Sequence, residues 1–423
     1  MTTQAVDSIE TTRDEARSWL RAHWDPELTV QQWWAVLADS GWGFPTWPKE
    51  WFGRDLDPVL SGAVREAFAD VGALGPPSSL GQMLGGPTLL THASEEVKAR
   101  FLPALARGEE FWCQFFSEPG SGSDLASAQT KAVADGDLFI VNGQKVWTSG
   151  AQWADRGMLV ARTDTEVPKH RGLTYFVIDV DQPGVDVRPI HQMNDAHGFN
   201  EVFFTDAEVA ADRVVGEVND GWAVAVTTLA FERFMSAFGA SPGKKAGLLE
   251  RRAGDVVSGA VRGPREGAAY GSDLAAMITD IARTRGLADD PVARQGIVDL
   301  YIQQELGRIS GLRSAASVRL GRRPSGDGSV RKLARSDLMR SARELGEAVL
   351  GPYGTLRSVE EELGGGSIQQ IALSSPSSSI AGGTDEIQHN IIGERVLGLP
   401  KEPQIDREIP FRELKVGTQR TTP

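Results

Sequence analysis

Apolar and polar positions change their spacing twice along this chain. From about Val6 to Glu110 the period is helical: Ala16, Trp19, Leu20 and His23 share one face, Val30 to Leu37 forms a second candidate helix, and Val59 to Val71 a third. Pro- and Gly-rich loops, GFPTWPKEWFGRD and LGPPSSLGQ, separate these runs, and SEEVKARFLPALARGEE opens on a Ser cap and closes on a Gly turn. From Phe111 to about Gly216 the runs shorten to FIVNG, GMLVART, LTYFVIDV, VDVRPI and NEVFFTDAEV, bounded by Gly, Asp and Pro, as antiparallel strands are. Helical spacing returns from Asn219 to about Val396. One helix starts at Asp220-Gly221 and runs through Trp222–Phe238. GRRPSGDGS separates two later helices, and LGGGSIQQIALSSPSSSIAGGTD is a Gly/Ser-rich passage before a last helix, EIQHNIIGERVLG. The run from Arg251 to Gly271 reads as a loop or irregular insertion, and the chain after Pro400 as a polar arm or disordered tail. The pattern predicts an N-terminal α-helical domain over 1–110, a middle β domain over 111–217, a C-terminal helical domain over 218–400 and a tail over 401–423.

Length and charge narrow the function classes. A chain of 423 residues exceeds one hydrophobic core. A net charge of −13 argues against nucleic acid as a partner and offers no basic face to a membrane. Cys113 is the single cysteine, which excludes an intrachain disulfide and a Cys-rich zinc site, and the six histidines lack metal-ligand spacing, so no metal is expected. The first residues are acidic and polar rather than a signal peptide, and no apolar run approaches the ~18 residues of a spanning helix. The expected setting is cytoplasmic.

Candidate chemistry concentrates between Trp112 and Gly150, where WCQFFSEPGSGSD is followed by DGDLFIVNGQKVWTSGA. Asn142-Gly143 stands at a two-residue hairpin position. Backbone amides in a Gly/Ser turn can converge on an anion, since Gly permits the positive φ angles that aim successive N–H groups inward. Trp147 supplies a flat face of the kind an aromatic ligand rests on. A surface loop beside a core tryptophan fits the same letters.

The α–β–α order, the SEPxxGSD turn and the VNGQKxWTS segment together resemble the acyl-CoA dehydrogenase family, over roughly Arg21 to Pro400. GPTLLTHASEEVKARFLP, KHRGLTYFVIDVDQPGVDV, FNEVFF and AGGTDEIQHNIIGERVLGLP fit in the same order. The resemblance implies an α+β multidomain fold: an N-terminal helical domain, a central antiparallel β-barrel-like domain, and a C-terminal four-helix bundle that mediates assembly. It implies FAD between the β domain and the bundle, an acyl-CoA substrate, an electron-transfer flavoprotein as acceptor, and a homo- or hetero-oligomer, dimer or tetramer. Carried over by position, Gln114, Phe116, Ser117, Gly122, Ser123, Trp147, Thr148, Ser149, Thr384 and Glu386 fall on the cofactor, and Ser123 and Arg233 on the substrate. For each of these, a residue that only shapes its turn is the simpler alternative.

Two departures from the family pattern matter. Most members carry the catalytic Glu in a Tyr-Glu-Gly-Thr segment, where this chain reads Ala381-Gly382-Gly383-Thr384. Gly382 cannot take a proton, although its N–H remains for a thioester carbonyl. A minority place the Glu in a Glu-Arg pair on the first long helix after the β domain, and here that helix carries Phe231-Glu232-Arg233. The positions at helical spacing from Glu232 are Thr228, Leu229, Met235 and Ser236, none of them basic, which suits a carboxylate facing a ligand. Glu232 is therefore the expected base, ahead of Glu386 and Glu394. The second departure concerns the family's Arg-x-x-Phe-Gly and Gln-x-x-Gly-Gly segments, which grip the ADP half of FAD across a subunit interface. The chain reads ARTRG at 282–286 and AVLGP at 348–352. Arg283, Arg285 or Arg294 could substitute; otherwise a second, different chain completes the site. Three functions stay open at this point: a dehydrogenase, with branched, cyclic or steroid-type acyl groups favoured by the small Ala381 and Gly382; an oxygen-using acyl-CoA oxidase or monooxygenase; and an inactive subunit that completes a partner's site.

Overall fold

A computed structural model describes residues 3–235, 247–257, 273–320, 326–403 and 406–414. The stretches 236–238 of the expected helix, 258–271 of the insertion and 321–325 of the linker lie outside the described residues. Helices α1 (Thr3–His23), α2 (Val30–Ser40), α3 (Ser61–Val71), α4 (Gly86–His92) and α5 (Glu95–Ala106) form the first block. Local chemistry sets their ends. Thr29 and Gln32 close a capping box on α2, and the Ser94 hydroxyl accepts from Val97 N at the start of α5. Trp33, Leu37, Leu20 and Phe68 pack in one apolar cluster, and Leu84, Leu89, Phe101 and Trp112 join a second that reaches the sheet.

Seven strands follow: β1 (Trp112–Phe115), β2 (Lys131–Asp135), β3 (Leu138–Ser149), β4 (Arg156–Arg162), β5 (Leu173–Asp179), β6 (Val185–Pro189) and β7 (Phe199–Ala210). They pair in the order β1-β4-β2-β3-β7-β6, with β5 also on β4. Most pairs are antiparallel. β1, however, runs parallel to β4, as does β2 where Lys131 meets Arg162. Residues 116–155 between β1 and β4 make a crossover, which a hairpin cannot replace when two strands point the same way. Asn142-Gly143 is not the hairpin turn either. The tight turn is Gly136-Asp137, with Gly136 at φ +59° between Asp135 and Leu138. Asn142-Gly143 instead lies within β3 at a register shift, where a Cβ on residue 143 would sit 2.7 Å from Thr130 Cα.

The last block contains α6 (Gly221–Met235), α7 (Ala253–Val257), α8 (Leu274–Thr284), α9 (Pro291–Arg319), α10 (Asp327–Leu350), α11 (Ser367–Ile380) and α12 (Asp385–Ile391). Ile278, Ile281, Leu300, Met339, Ile368 and Ile371 make the core between α8, α9, α10 and α11. The Gly/Ser passage therefore holds a helix. Pro376 deprives Ala372 O of its helical donor, and the Ser375 hydroxyl donates to that carbonyl instead, at 3.2 Å. The described part of the insertion docks on the first block: Val30 N donates to Arg251 O, Ala253 N to Leu28 O, and Leu249 and Ala253 are buried beside Trp33. Residues 406–414 are not a disordered tail; they return to the β domain, where Phe411 is buried. Among the described residues no helix is long and apolar enough to cross a membrane, and no group of His, Cys, Asp and Glu is placed to hold a metal.

Candidate cofactor and active site

The turn after β1 is built by its glutamate. Glu118 N donates to Ser121 O and Ser121 N to Glu118 O, which closes residues 118–121 into a tight loop. The buried Glu118 carboxylate accepts from Gln129 N at 2.6 Å, Thr130 N at 3.0 Å and Lys145 Nζ at 2.8 Å. Lys145 is fully buried and also donates to Phe116 O at 2.9 Å. Burial alone would raise the Glu118 pKa; Lys145 and the backbone donors outweigh it and hold the carboxyl below its usual range. Burial in turn lowers the Lys145 ammonium, against the pull of Glu118. Val146 N donates to Ser117 O at 2.9 Å, so the turn and β3 are fastened twice. Gly122 and Ser123 are left exposed at the outer edge of the loop, Ser117 and Gln114 are half-buried, and the Phe116 ring is buried edge-on to Tyr175.

Trp147 stands at φ +61°, in a second register shift of β3 against β7, between Lys145 and Thr148. A bulky side chain in the left-handed region is strained, and here the bulge turns an indole outward that stays 60% exposed. Phe199 meets it edge-on at 6.1 Å. The Thr148 hydroxyl that follows is buried with no partner among the described residues, and Asn200 Nδ2 donates to Thr148 O at 2.9 Å. Ser149 is exposed beside it. A largely exposed indole, an unsatisfied buried hydroxyl and an exposed Gly/Ser loop on the same two segments fit a planar ring that carries a phosphate tail.

Glu232 lies near the end of α6, half-buried; the Arg233 side chain lies outside the described residues. Gly221 starts the helix against the β5 backbone, and Trp222, Leu229 and Phe231 pack into the cluster of Leu84, Leu89 and Tyr175. The buried Thr228 hydroxyl lies 3.0 Å from Thr88 Oγ1 and 3.2 Å from Tyr175 Oη, which locks α6 to α4 and β5 one turn before Glu232. The sequence places Thr228 one turn from Glu232, but nothing in the spacing of Thr88, Tyr175 and Thr228 marks their contact. The loop before α12 is held from the other side. Gly382 and Gly383 sit at φ +67° and +89°, and Gln388 Nε2 donates to both carbonyls. The Thr384 hydroxyl caps α12, Glu386 is exposed in its first turn, and the buried Asp385 accepts from Lys332 Nζ at 2.9 Å and Arg340 Nη1 at 2.7 Å. Helix α10, which carries both cations, touches α6 and α12 alike.

Of the arginines proposed for the ADP half, Arg283 is exposed and pairs with Asp280, Arg285 lies over the Tyr353 ring at 4.7 Å, and Arg294 is exposed. Val349 and Leu350, where the family has its second gripping segment, are buried in the bundle core.

Residues 7–109, 113–207 and 267–397 match the family models of the N-terminal, middle and C-terminal domains of acyl-CoA dehydrogenases. Acyl-CoA dehydrogenase IpdE1 of Mycobacterium tuberculosis (strain ATCC 25618 / H37Rv) is 37% identical over 373 residues, covering 86% of this chain and 87% of its own length. Among solved structures, the ChsE4-ChsE5 complex from the same species is similar at 26% identity and TM-score 0.63, over 95% of this chain and 99% of the other. A single-residue variant of the Tcur3481-Tcur3483 steroid ACAD is similar at 25% identity and TM-score 0.65, over 94% of this chain and 100% of the other.

Proposed function

The chain belongs to the acyl-CoA dehydrogenase family, and from that membership we propose that it introduces an α,β double bond into an acyl-CoA thioester with FAD as its cofactor. The observation that carries the cofactor assignment is Trp147, held out on a strained bulge beside the unsatisfied Thr148 hydroxyl and next to the 118–124 turn. In this reading the Trp147 face, Thr148 and Ser149 hold the ring, and Gly122 and Ser123 hold the pyrophosphate. Bound flavin supplies the acceptor for a hydride leaving the β-carbon.

The chain's own residues do the rest. Glu232, half-buried near the end of α6, takes the α-proton on its carboxylate. The proton is acidic enough only if donors stabilise the charge that develops on the thioester oxygen, and the Gly382 N–H is assigned that task. Gly382 stands where most of the family carries its base and cannot take a proton, and this supports a base supplied from α6. Small residues at 381–383 leave room for a bulky or ring-bearing acyl group, and the name steroid ACAD on a structurally similar protein agrees with a steroid-type substrate. The ARTRG and AVLGP segments lack the family's ADP grip, and ChsE4-ChsE5 is named as a complex of two chains. We therefore assign this protein to the base-bearing half of a heteromer that passes electrons to an electron-transfer flavoprotein.

The test is the visible spectrum. The purified chain is expected to carry little flavin, to gain it with a second, complementary chain, and to lose its flavin absorbance when an acyl-CoA is added without oxygen. Full flavin occupancy in the lone chain would remove the heteromer, and unchanged absorbance across straight, branched and steroid-type thioesters would remove the dehydrogenase.

A further inference from the structure

Residues 406–414 are polar and Pro-punctuated, the composition of a loose tail, yet they are fastened to the β domain along their length. Phe411 N donates to Val167 O at 2.9 Å, Arg412 N to Thr165 O at 3.0 Å, and Pro410 bridges Pro168. The buried Phe411 ring lies under the Arg162 guanidinium at 3.8 Å. Lys169 Nζ donates to Asp406 Oδ2 and to Asp124 Oδ2, each at 2.9 Å.

Both anchors lead to the candidate phosphate loop. Arg162 is 2% exposed, and it donates to Ala126 O at 2.6 Å, Ala128 O at 3.2 Å and Lys169 O at 2.6 Å. Asp124, the residue after Gly122 and Ser123, has its carbonyl bound by the Ser121 hydroxyl and its carboxylate by Ser127 and Lys169. Nothing lies within 4 Å of where a Cβ on Gly122 would be, so the outer rim of the loop has no packing of its own there. Its shape is set from underneath, and the tail closes that support: Phe411 covers Arg162, and Asp406 completes the partners of Lys169.

We propose that residues 406–414 form a clasp that holds loop 121–128 in its ligand-facing shape, which makes Asp406 and Phe411 positioning residues for the phosphate side of the site. The inference rests on the reading of Gly122 and Ser123 as pyrophosphate contacts. A loop already ordered by the clasp spares the ligand the ordering that binding would otherwise require.

Hydrogen exchange on the full-length chain without ligand tests the clasp. Ser127 N and Ala128 N donate to Asp124 O and Leu125 O, and Gln129 N and Thr130 N to Glu118, so these four amides report on the loop. They are expected to exchange about tenfold faster in Phe411→Ala and several-fold faster in Asp406→Asn, while the β5 amides stay unchanged. Unchanged loop exchange in both variants overturns the clasp. Should Phe411→Ala loosen the whole β domain, Asp406→Asn decides, since it removes a surface ion pair and no core. FAD titrated into the wild-type chain and its complementary chain should slow exchange in 121–130 and, reciprocally, in 406–414. Protection of the loop alone overturns the coupling. Protection of neither overturns the cofactor reading, and the ligand-free data then judge the clasp.

Discussion

Replacing Glu118 by glutamine should loosen the turn after β1 and its tie to β3. The change keeps the shape of the side chain and removes its charge beneath the turn. Lys145 is fully buried, and it donates to the Glu118 carboxylate at 2.8 Å and to Phe116 O at 2.9 Å. The amide group introduced by Glu118→Gln would also have to face one of three donors, the Lys145 ammonium, Gln129 N–H or Thr130 N–H. Breaking a buried ion pair from one side costs about 3–5 kcal/mol, because the other charge stays buried and unpaired. At about 1.4 kcal/mol per factor of ten, protection of the β3 amides should fall by roughly two to three and a half orders of magnitude. Val146 N–H, which donates to Ser117 O, is the amide to follow by native-state hydrogen exchange. Lys145→Met alone should cost nearly as much, and the double variant should lose clearly less than the sum, with a coupling of about 2 kcal/mol or more. A coupling near zero, or a loss under about 1 kcal/mol for Glu118→Gln, would refute the view that this pair ties the turn to Trp147.

Other outcomes follow from the same geometry. Trp147→Gly should leave the stability of the cofactor-free protein within about 1 kcal/mol, because relief of the φ +61° strain offsets the packing lost by a mostly exposed ring, while flavin affinity measured by fluorescence titration falls about tenfold. A core tryptophan would instead cost about 3–5 kcal/mol, and that result would return Trp147 to a structural role. Gly221→Ala places a Cβ 2.5 Å from Thr174 C and Tyr175 N, so α6 must shift off β5; thermal unfolding should show a loss of about 1–3 kcal/mol together with reduced turnover. Burial works to raise the Asp385 pKa, but Arg340, Lys332 and Ser336 outweigh it and hold the carboxyl well below its usual range. Its contribution to stability is therefore fully present above about pH 4 and is lost as pH falls toward the depressed value, so Asp385→Asn should flatten the acid side of a stability profile taken from about pH 6 to about pH 2.5.

The helical blocks and the strand-rich middle were legible because their apolar spacing switches from 3.6 to 2 and back, and the ends carry side-chain signals such as Thr29 and Ser94. Asn142-Gly143 misled because a dipeptide states what a turn tolerates, whereas strand register is decided by pairing with β7; the Gly-Asp of 136–137 was the working signal. Ser375 and Pro376 hid α11 because hydroxyls that return to the backbone make a polar stretch helical without changing its composition. Lys145 could have been read as buried, since it keeps the inward parity of Phe139 and Val141 along β3. The Thr88–Thr228–Tyr175 cluster and the Arg162–Phe411 contact could not, because their members come from segments that only the tertiary fold brings together.

Whether Glu232 is the base can be read without any electron acceptor. The assembled enzyme is incubated with a saturated acyl-CoA in D₂O, and the recovered thioester is weighed by mass spectrometry for deuterium at the α-carbon. Wild type should wash deuterium in, and Glu232→Gln, with its cofactor still bound, should not. Exchange at the wild-type rate in Glu232→Gln would contradict the assignment of the base to α6.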